Sequence, residues 1–283
     1  MKSFIRRNGV DIVNDVGPVK QNKLIISDQL KILQDKKYSF NDTEIDFSKE
    51  IDDCVNNTVH REYISEFIYH KEYGFNSTNI EVYNEKTVKT AIKLIDKGMT
   101  NLVALNFANG TNVGGGFLAG ATAQEEDLCR CSALYQSLKS KPMFYNKNII
   151  VNDMYYTNDT IYSPNVPFFR DENYNLIKNF SMSIISSPAP NISLMKENEY
   201  SENGITGTIQ SRIYEILHVA KINNHKNIIL GAWGCGAFGN DPEKISSIFY
   251  EALDDFAFEN VYFSIYDNRK DEKLFNIFKE KFK

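Results

Sequence analysis

Tryptophan occurs once in 283 residues, and histidine and cysteine four times each. These scarcities close off several function classes. The cysteines, Cys54, Cys129, Cys131 and Cys235, are too few for a disulfide scaffold, and no two of them have the C-x-x-C spacing of zinc ribbons. Four reduced thiols in a cytoplasmic protein are the expectation. There is no H-E-x-x-H motif, so no metal site is expected. No segment approaches the roughly 20 apolar residues that a bilayer span needs. The N-terminus carries Arg6 and Arg7 but no apolar run or small-residue cleavage site after them, so neither a membrane span nor a secretory signal is expected. An excess of positive charge is also missing. Lys and Arg number 32 against 37 Asp and Glu, a net charge of −5, which speaks against general nucleic-acid binding but leaves room for a local anionic ligand. Finally, G-x-G-x-x-G does not follow the first strand of the α/β pattern, which removes the Rossmann oxidoreductase reading.

What remains is the composition of a soluble globular chain, 42% apolar and 24% charged. Residues 1–78 read as polar and helical, with Leu24, Ile25, Leu30, Ile32 and Leu33 spaced among charges over 22–37 and a similar pattern over 48–70. This is taken as an N-terminal helical extension packed on a core. From residue 79 strands and helices alternate. Strands are expected at 79–83, 101–107, 148–154, 181–187, 227–232 and 261–266. Helices are expected at 85–97, 121–140, 208–222, from Pro242 behind an Asp241 cap, and at 271–282, with a long loop to residue 179. That order predicts an α/β fold in which helices sandwich a mixed, largely parallel sheet, occupying residues 79–283.

Two strand-to-loop junctions carry the chemical signal, because ligands of open α/β sheets collect at the carboxyl ends of strands. The first, 106–116, ends in Gly114, Gly115 and Gly116. Three glycines without Cβ let the backbone N–H groups approach an anion such as a diphosphate, or else form a flexible turn. Seven residues later come Gln124, Glu125 and Glu126 in the first turn of a helix. Adjacent helical residues point about 100° apart, so the two carboxylates are not expected to face one point. Acidic residues also favour a helix N-terminus for electrostatic reasons alone. The second junction, 231–240, places Gly234, Gly236 and Gly239 around Cys235, Ala237 and Phe238. Phe238 either offers its face to a base or sugar or plugs the end of the sheet. Cys235 has no histidine near it in sequence, since His60, His70, His218 and His225 fall in expected helices or at their ends, so a Cys–His pair ranks low.

Together these motifs resemble the poly(ADP-ribose) glycohydrolases, in particular the compact bacterial-type group built on a macrodomain. Three glycines, a spacer of seven and Gln124-Glu125-Glu126 match that family's signature. Neighbouring stretches at 105–108, 162–167 with Arg170, 188–191 and 231–242 are similar to it, and 38–58 is similar to its helical extension. The resemblance implies a macrodomain-like three-layer α/β/α sandwich with an ADP-ribose cleft. In it Gly114 to Gly116 wrap the diphosphate, and the loop with Ala237 and Phe238 closes over it. It further implies that Glu126 is the acid and base, that Glu125 holds ribose hydroxyls, and that Asn109 or Asn112 helps to fix the terminal ribose. Poly(ADP-ribose) and ADP-ribosylated proteins would be the substrates, ADP-ribose the product, and no cofactor is called for. Two other readings use the same cleft: a non-catalytic ADP-ribose reader, and a hydrolase of mono-ADP-ribose on protein or nucleic acid.

Overall fold

A computed structural model describes residues 4–7, 10–13, 18–64, 78–196 and 200–283. Seven strands form the central sheet: β5 (Val59–Arg61), β6 (Asn79–Tyr83), β7 (Leu102–Phe107), β8 (Thr160–Arg170), β9 (Leu176–Ser187), β10 (Asn227–Leu230) and β11 (Asn260–Ser264). Their order is β5-β8-β9-β7-β10-β11-β6. From β9 to β6 all pairings are parallel, while β8 runs antiparallel to both β9 and β5. The sheet is therefore mixed and mostly parallel.

Two-residue periodicity splits the strands between two buried faces. Val103, Leu105, Ile228, Leu230, Val261 and Phe263 join one apolar cluster with α7 (Glu202–Ile222), α8 (Pro242–Leu253) and α9 (Lys273–Lys281). Leu102, Ala104, Ile229 and Tyr262 point the other way, into a second cluster. There they meet α3 (Thr87–Asp96), α4 (Gln124–Cys131), α5 (Leu134–Lys139) and α6 (Pro142–Val151). Helices thus cover both faces, as the alternation implied. α8 begins as its sequence demands, with Asp241 accepting from Glu243 N–H at the cap and proline in the first turn.

Before the sheet come the hairpin β1 (Phe4–Arg7) with β2 (Val10–Val13), α1 (Pro18–Asp35), a second hairpin of β3 (Lys37–Phe40) and β4 (Thr43–Asp46), and α2 (Ser48–Asn57). The N-terminal segment thus contains strands as well as helices. Its β5 is itself an edge strand of the central sheet, paired with β8. The helix expected over 48–70 ends at Asn57, and its part from residue 65 lies outside the described residues.

Other departures have physical causes. The helix expected over 121–140 breaks between α4 and α5, because Ser132 bridges to Phe168 and Ala133 N–H donates to Pro167 O. Residues 148–154, expected as a strand, belong mostly to α6, whose Ile149, Ile150 and Val151 face outward. The stretch expected as loop is the hairpin of β8 and β9, whose Pro164 and Asn165 sit at a register shift. Among the described residues no helix is long and apolar enough to cross a membrane.

Candidate active site

All five mutually parallel strands deliver their carboxyl ends to one edge of the sheet, and a cavity of about 640 Å³ opens there. Its walls come from the loops after β6, β7, β9, β10 and β11, from the turn between β8 and β9 and from the first turn of α4. That turn is fastened to the sheet by Gln124. Its Oε1 accepts Phe107 N–H at 2.9 Å, and its Nε2 donates to Leu105 O at 2.8 Å and to Thr87 Oγ1 at 3.2 Å. Gln124 lines the cavity, but its amide is taken up in holding helix against strand.

The two glutamates behind it are almost buried, Glu125 at 3% and Glu126 at 6% exposure. Glu125 Oε1 accepts from Asn106 Nδ2 at 3.1 Å and its Oε2 from Asn109 N–H at 2.8 Å. Burial dominates over these bonds and, with the neighbouring Glu126 charge, pushes the Glu125 carboxyl up to about 8. Glu126 Oε1 accepts Gly116 N–H at 2.7 Å, whereas its Oε2 is buried with no hydrogen-bond partner among the described residues.

The expectation that the two carboxylates diverge is corrected by Gly115. A Cβ there would lie 2.5 Å from Glu126 Oε1 and 2.9 Å from Glu125 Oε2. Their Cα–Cβ bonds diverge, but the rotatable side chains swing both carboxyl groups back over one residue. Gly115 has φ +59° and Gly114 φ +67°, which suits glycine. Gly115 therefore provides clearance for both carboxylates. Gly114 packs over Cys129 and Tyr135, Gly115 N–H is bonded to Asn112 O, and Gly116 N–H is bonded to Glu126.

Of the residues singled out from sequence, Asn109, Gln124, Glu125, Glu126, Gly234, Gly236, Ala237 and Phe238 line the cavity. Asn112, Gly114, Gly115, Gly116, Cys235 and Gly239 do not line it. Asn109 shapes its own loop, its Oδ1 accepting from Thr111 N–H, Thr111 Oγ1 and Asn112 N–H; Asn112 is exposed.

In the second loop Trp233 is fully buried and donates Nε1–H to Ser187 O at 2.9 Å. Gly234, at φ +75°, leaves room for Ala189 and Asn240. Phe238 is half-buried, with its carbonyl accepting Ser193 N–H at 3.2 Å. The Cys235 thiol is pushed well up by burial and donates to Trp233 O, the state of an inert thiol and not a nucleophile. His60 lies in β5 and not in a helix, where it pairs with Asp159. His70 lies outside the described residues.

Part of the cavity went unnoticed in the sequence. Lys86 Nζ pairs with Asp127 Oδ2 at 2.7 Å and lies 5.6 Å from the centroids of both Tyr174 and Tyr266. Arg130 stacks on Tyr174, whose hydroxyl donates to Asp127. The signal was available: Lys86 and Tyr266 follow β6 and β11, at the same sheet edge as the two glycine-bearing loops. Among the described residues no three His, Cys, Asp or Glu side chains gather into a metal-binding group.

Comparison with known proteins gives the chain a family and a shared fold. The family model described as the catalytic domain of microbial-type PARG matches residues 27–171, half of the chain. The poly(ADP-ribose) glycohydrolase of Thermomonospora curvata, solved with the inhibitor ADP-HPD, is 30% identical, with a TM-score of 0.86 over 93% of this chain and 100% of that one. The enzyme of Deinococcus radiodurans, solved in complex with ADP-ribose, is 33% identical, with a TM-score of 0.72 over 82% of this chain and 96% of that one. No curated protein matches by sequence. With a matching family model, a shared mixed sheet and 30–33% identity over most of its length, the chain belongs to the microbial-type poly(ADP-ribose) glycohydrolases.

Proposed function

We propose that the chain hydrolyses ribose–ribose O-glycosidic bonds of poly(ADP-ribose) to release ADP-ribose, with Glu126 as both general acid and general base. One observation carries this assignment. Glu126 is held by one oxygen on Gly116 N–H, while its other oxygen is buried at the cavity wall without a partner among the described residues. A carboxyl group fixed at one oxygen and unengaged at the other is placed to exchange a proton with a substrate oxygen.

The reaction needs a proton for the departing hydroxyl and stabilisation of an oxocarbenium-like transition state. As the anomeric C–O bond breaks, its electron pair leaves with the oxygen and Glu126 supplies the proton. Glu126, now a carboxylate, then takes a proton from water as the water oxygen bonds to the anomeric carbon, which restores the acid. Glu125, whose burial keeps its proton on near neutrality, brings no second negative charge beside Glu126 and is suited to hold a ribose hydroxyl. Open backbone at Gly236 and the ring of Phe238 supply surface for the nucleotide. ADP-ribosylated proteins are the natural carriers of the polymer, and four unpaired cysteines support a reducing, cytoplasmic setting.

The test is Glu126→Gln. Release of ADP-ribose from polymer should fall by at least about 100-fold while the Kd for ADP-ribose changes less than about threefold. Near-normal turnover by that variant overturns the assignment. Wild-type protein that binds ADP-ribose but cleaves nothing would instead be a reader, and cleavage confined to singly modified protein would indicate a mono-ADP-ribosyl hydrolase.

A further inference from the structure

We propose that Tyr156 is a positioning residue for the reaction, a single ring that sets the spacing between the two ligand loops 106–116 and 231–240; this rests on the ADP-ribose reading of the cavity. Tyr156 lies between α6 and β8, nearly buried, and does not line the cavity. One side of its ring is pressed on Gly110. A Cβ there would fall 2.6, 2.8 and 2.9 Å from Tyr156 Cδ1, Cγ and Cε1. The ring also packs against Phe238, with centroids 6.2 Å apart and planes at 39°. Gly110 follows Asn109, whose N–H holds Glu125, and Phe238 lines the cavity. Any shift of the ring is therefore passed to a carboxylate on one side and to the nucleotide surface on the other.

The ring is held at a cost, which sets it apart from ordinary packing. Tyr156 has φ +60°, a conformation that bulky residues rarely adopt. It is kept there by Arg212 of α7, which is fully buried. Arg212 donates to Tyr156 O at 2.9 Å, to Tyr155 O, to Pro188 O at 2.7 Å and to Asn158 Oδ1 at 2.7 Å. These partners are all neutral, and burial lowers its pKa to about 9. A guanidinium placed on carbonyls in the core is expensive. Here it fixes the turn that presents the ring, and through Pro188 O it also fixes the loop that follows β9.

The experiment is a bump-and-hole cycle in the full chain, read by titration with ADP-ribose and by kcat and KM on polymer. Gly110→Ala drives a methyl group into the ring and should weaken ADP-ribose binding by at least about tenfold. Tyr156→Gly removes the ring, and because glycine accepts φ +60° freely the relieved backbone offsets part of the cost of the cavity; circular dichroism of the variant checks that it is folded. In that background Gly110→Ala should cost less than about threefold, because the clash is gone. Tyr156→Phe keeps the ring and should restore Kd and kcat to within about twofold of wild type.

The proposal is overturned if Gly110→Ala costs the same factor with and without the ring, or if Tyr156→Phe is as impaired as Tyr156→Gly. Additive costs in a wild type that binds and cleaves refute the role of Tyr156 alone. A wild type that does not bind ADP-ribose refutes the functional reading and this proposal with it.

Discussion

Glu125 should make the protein lose stability as pH rises through neutrality, and Glu125→Gln should abolish that loss. In the folded chain the carboxyl keeps its proton up to about pH 8, against an ordinary value of 4.5 when unfolded. Between those values the folded state binds one more proton than the unfolded state. Stability is therefore full below pH 4.5, falls by about 1.4 kcal/mol per pH unit, and levels off above 8. The interval spans roughly 3.5 pH units, which sets the total loss on the order of 5 kcal/mol. For 283 residues the entropy of unfolding is about 0.6 kcal/mol/K, so the melting temperature should drop by roughly 8 °C. Glutamine is neutral throughout and fits the site. Asn106 Oδ1, buried without a partner among the described residues, can accept from the new amide once the Asn106 side chain flips. The assay is thermal unfolding of both proteins from pH 4 to pH 9, taking the difference so that all other titrations cancel. The two curves should coincide at pH 4 and separate steadily to pH 8, with the variant the more stable. A difference that is flat across that interval would show that Glu125 ionises like a solvated carboxyl and would refute the burial argument.

Two further substitutions probe the glycine beside the glutamates and the far end of the helix that carries them. Gly115→Ala puts a Cβ within 3 Å of oxygens from both glutamates at φ +59°, so kcat/KM on polymer should fall by at least about 100-fold; wild-type kcat would refute the clearance role. Gln29→Leu strips the donor that serves Cys129 O at 3.1 Å and Ser132 O at 2.8 Å, at the end of α4, and the acceptor of Arg170 Nε. Urea unfolding should show a loss of about 2–4 kcal/mol, and a change under about 0.5 kcal/mol would show that these buried groups find other partners.

The elements legible from sequence were those whose local pattern and tertiary role agree. β7 and β10 read as apolar runs because they are buried on both faces, and α8 carries its cap and first-turn proline in the chain itself. Where the two levels disagree, sequence misleads. Ile149, Ile150 and Val151 look like a buried strand, yet they lie on the outward side of α6, at 53%, 82% and 50% exposure. Pro164 and Asn165 look like loop residues, yet β8 accommodates them at a shift of register, with Asn165 at φ +47°. β5 is three residues long, and only its partner β8, a hundred positions away, makes it a strand.

The same division runs through the candidate site. Gly115 and Gly116 lie about ten residues from Glu125 and Glu126, so the groups that must fit one another fall within one readable motif. Lys86, Tyr174 and Tyr266 meet across 180 positions of chain, and only the strand order brings them to one cavity. Even inside the motif, spacing alone assigned the glycines to the ligand, whereas side-chain torsions, which no spacing records, turn both carboxyl groups onto Gly115. A Cβ at this position would strike oxygens of both Glu126 and Glu125, so glycine is demanded here by the two buried carboxyl groups themselves, whatever part the surrounding backbone plays in holding a diphosphate.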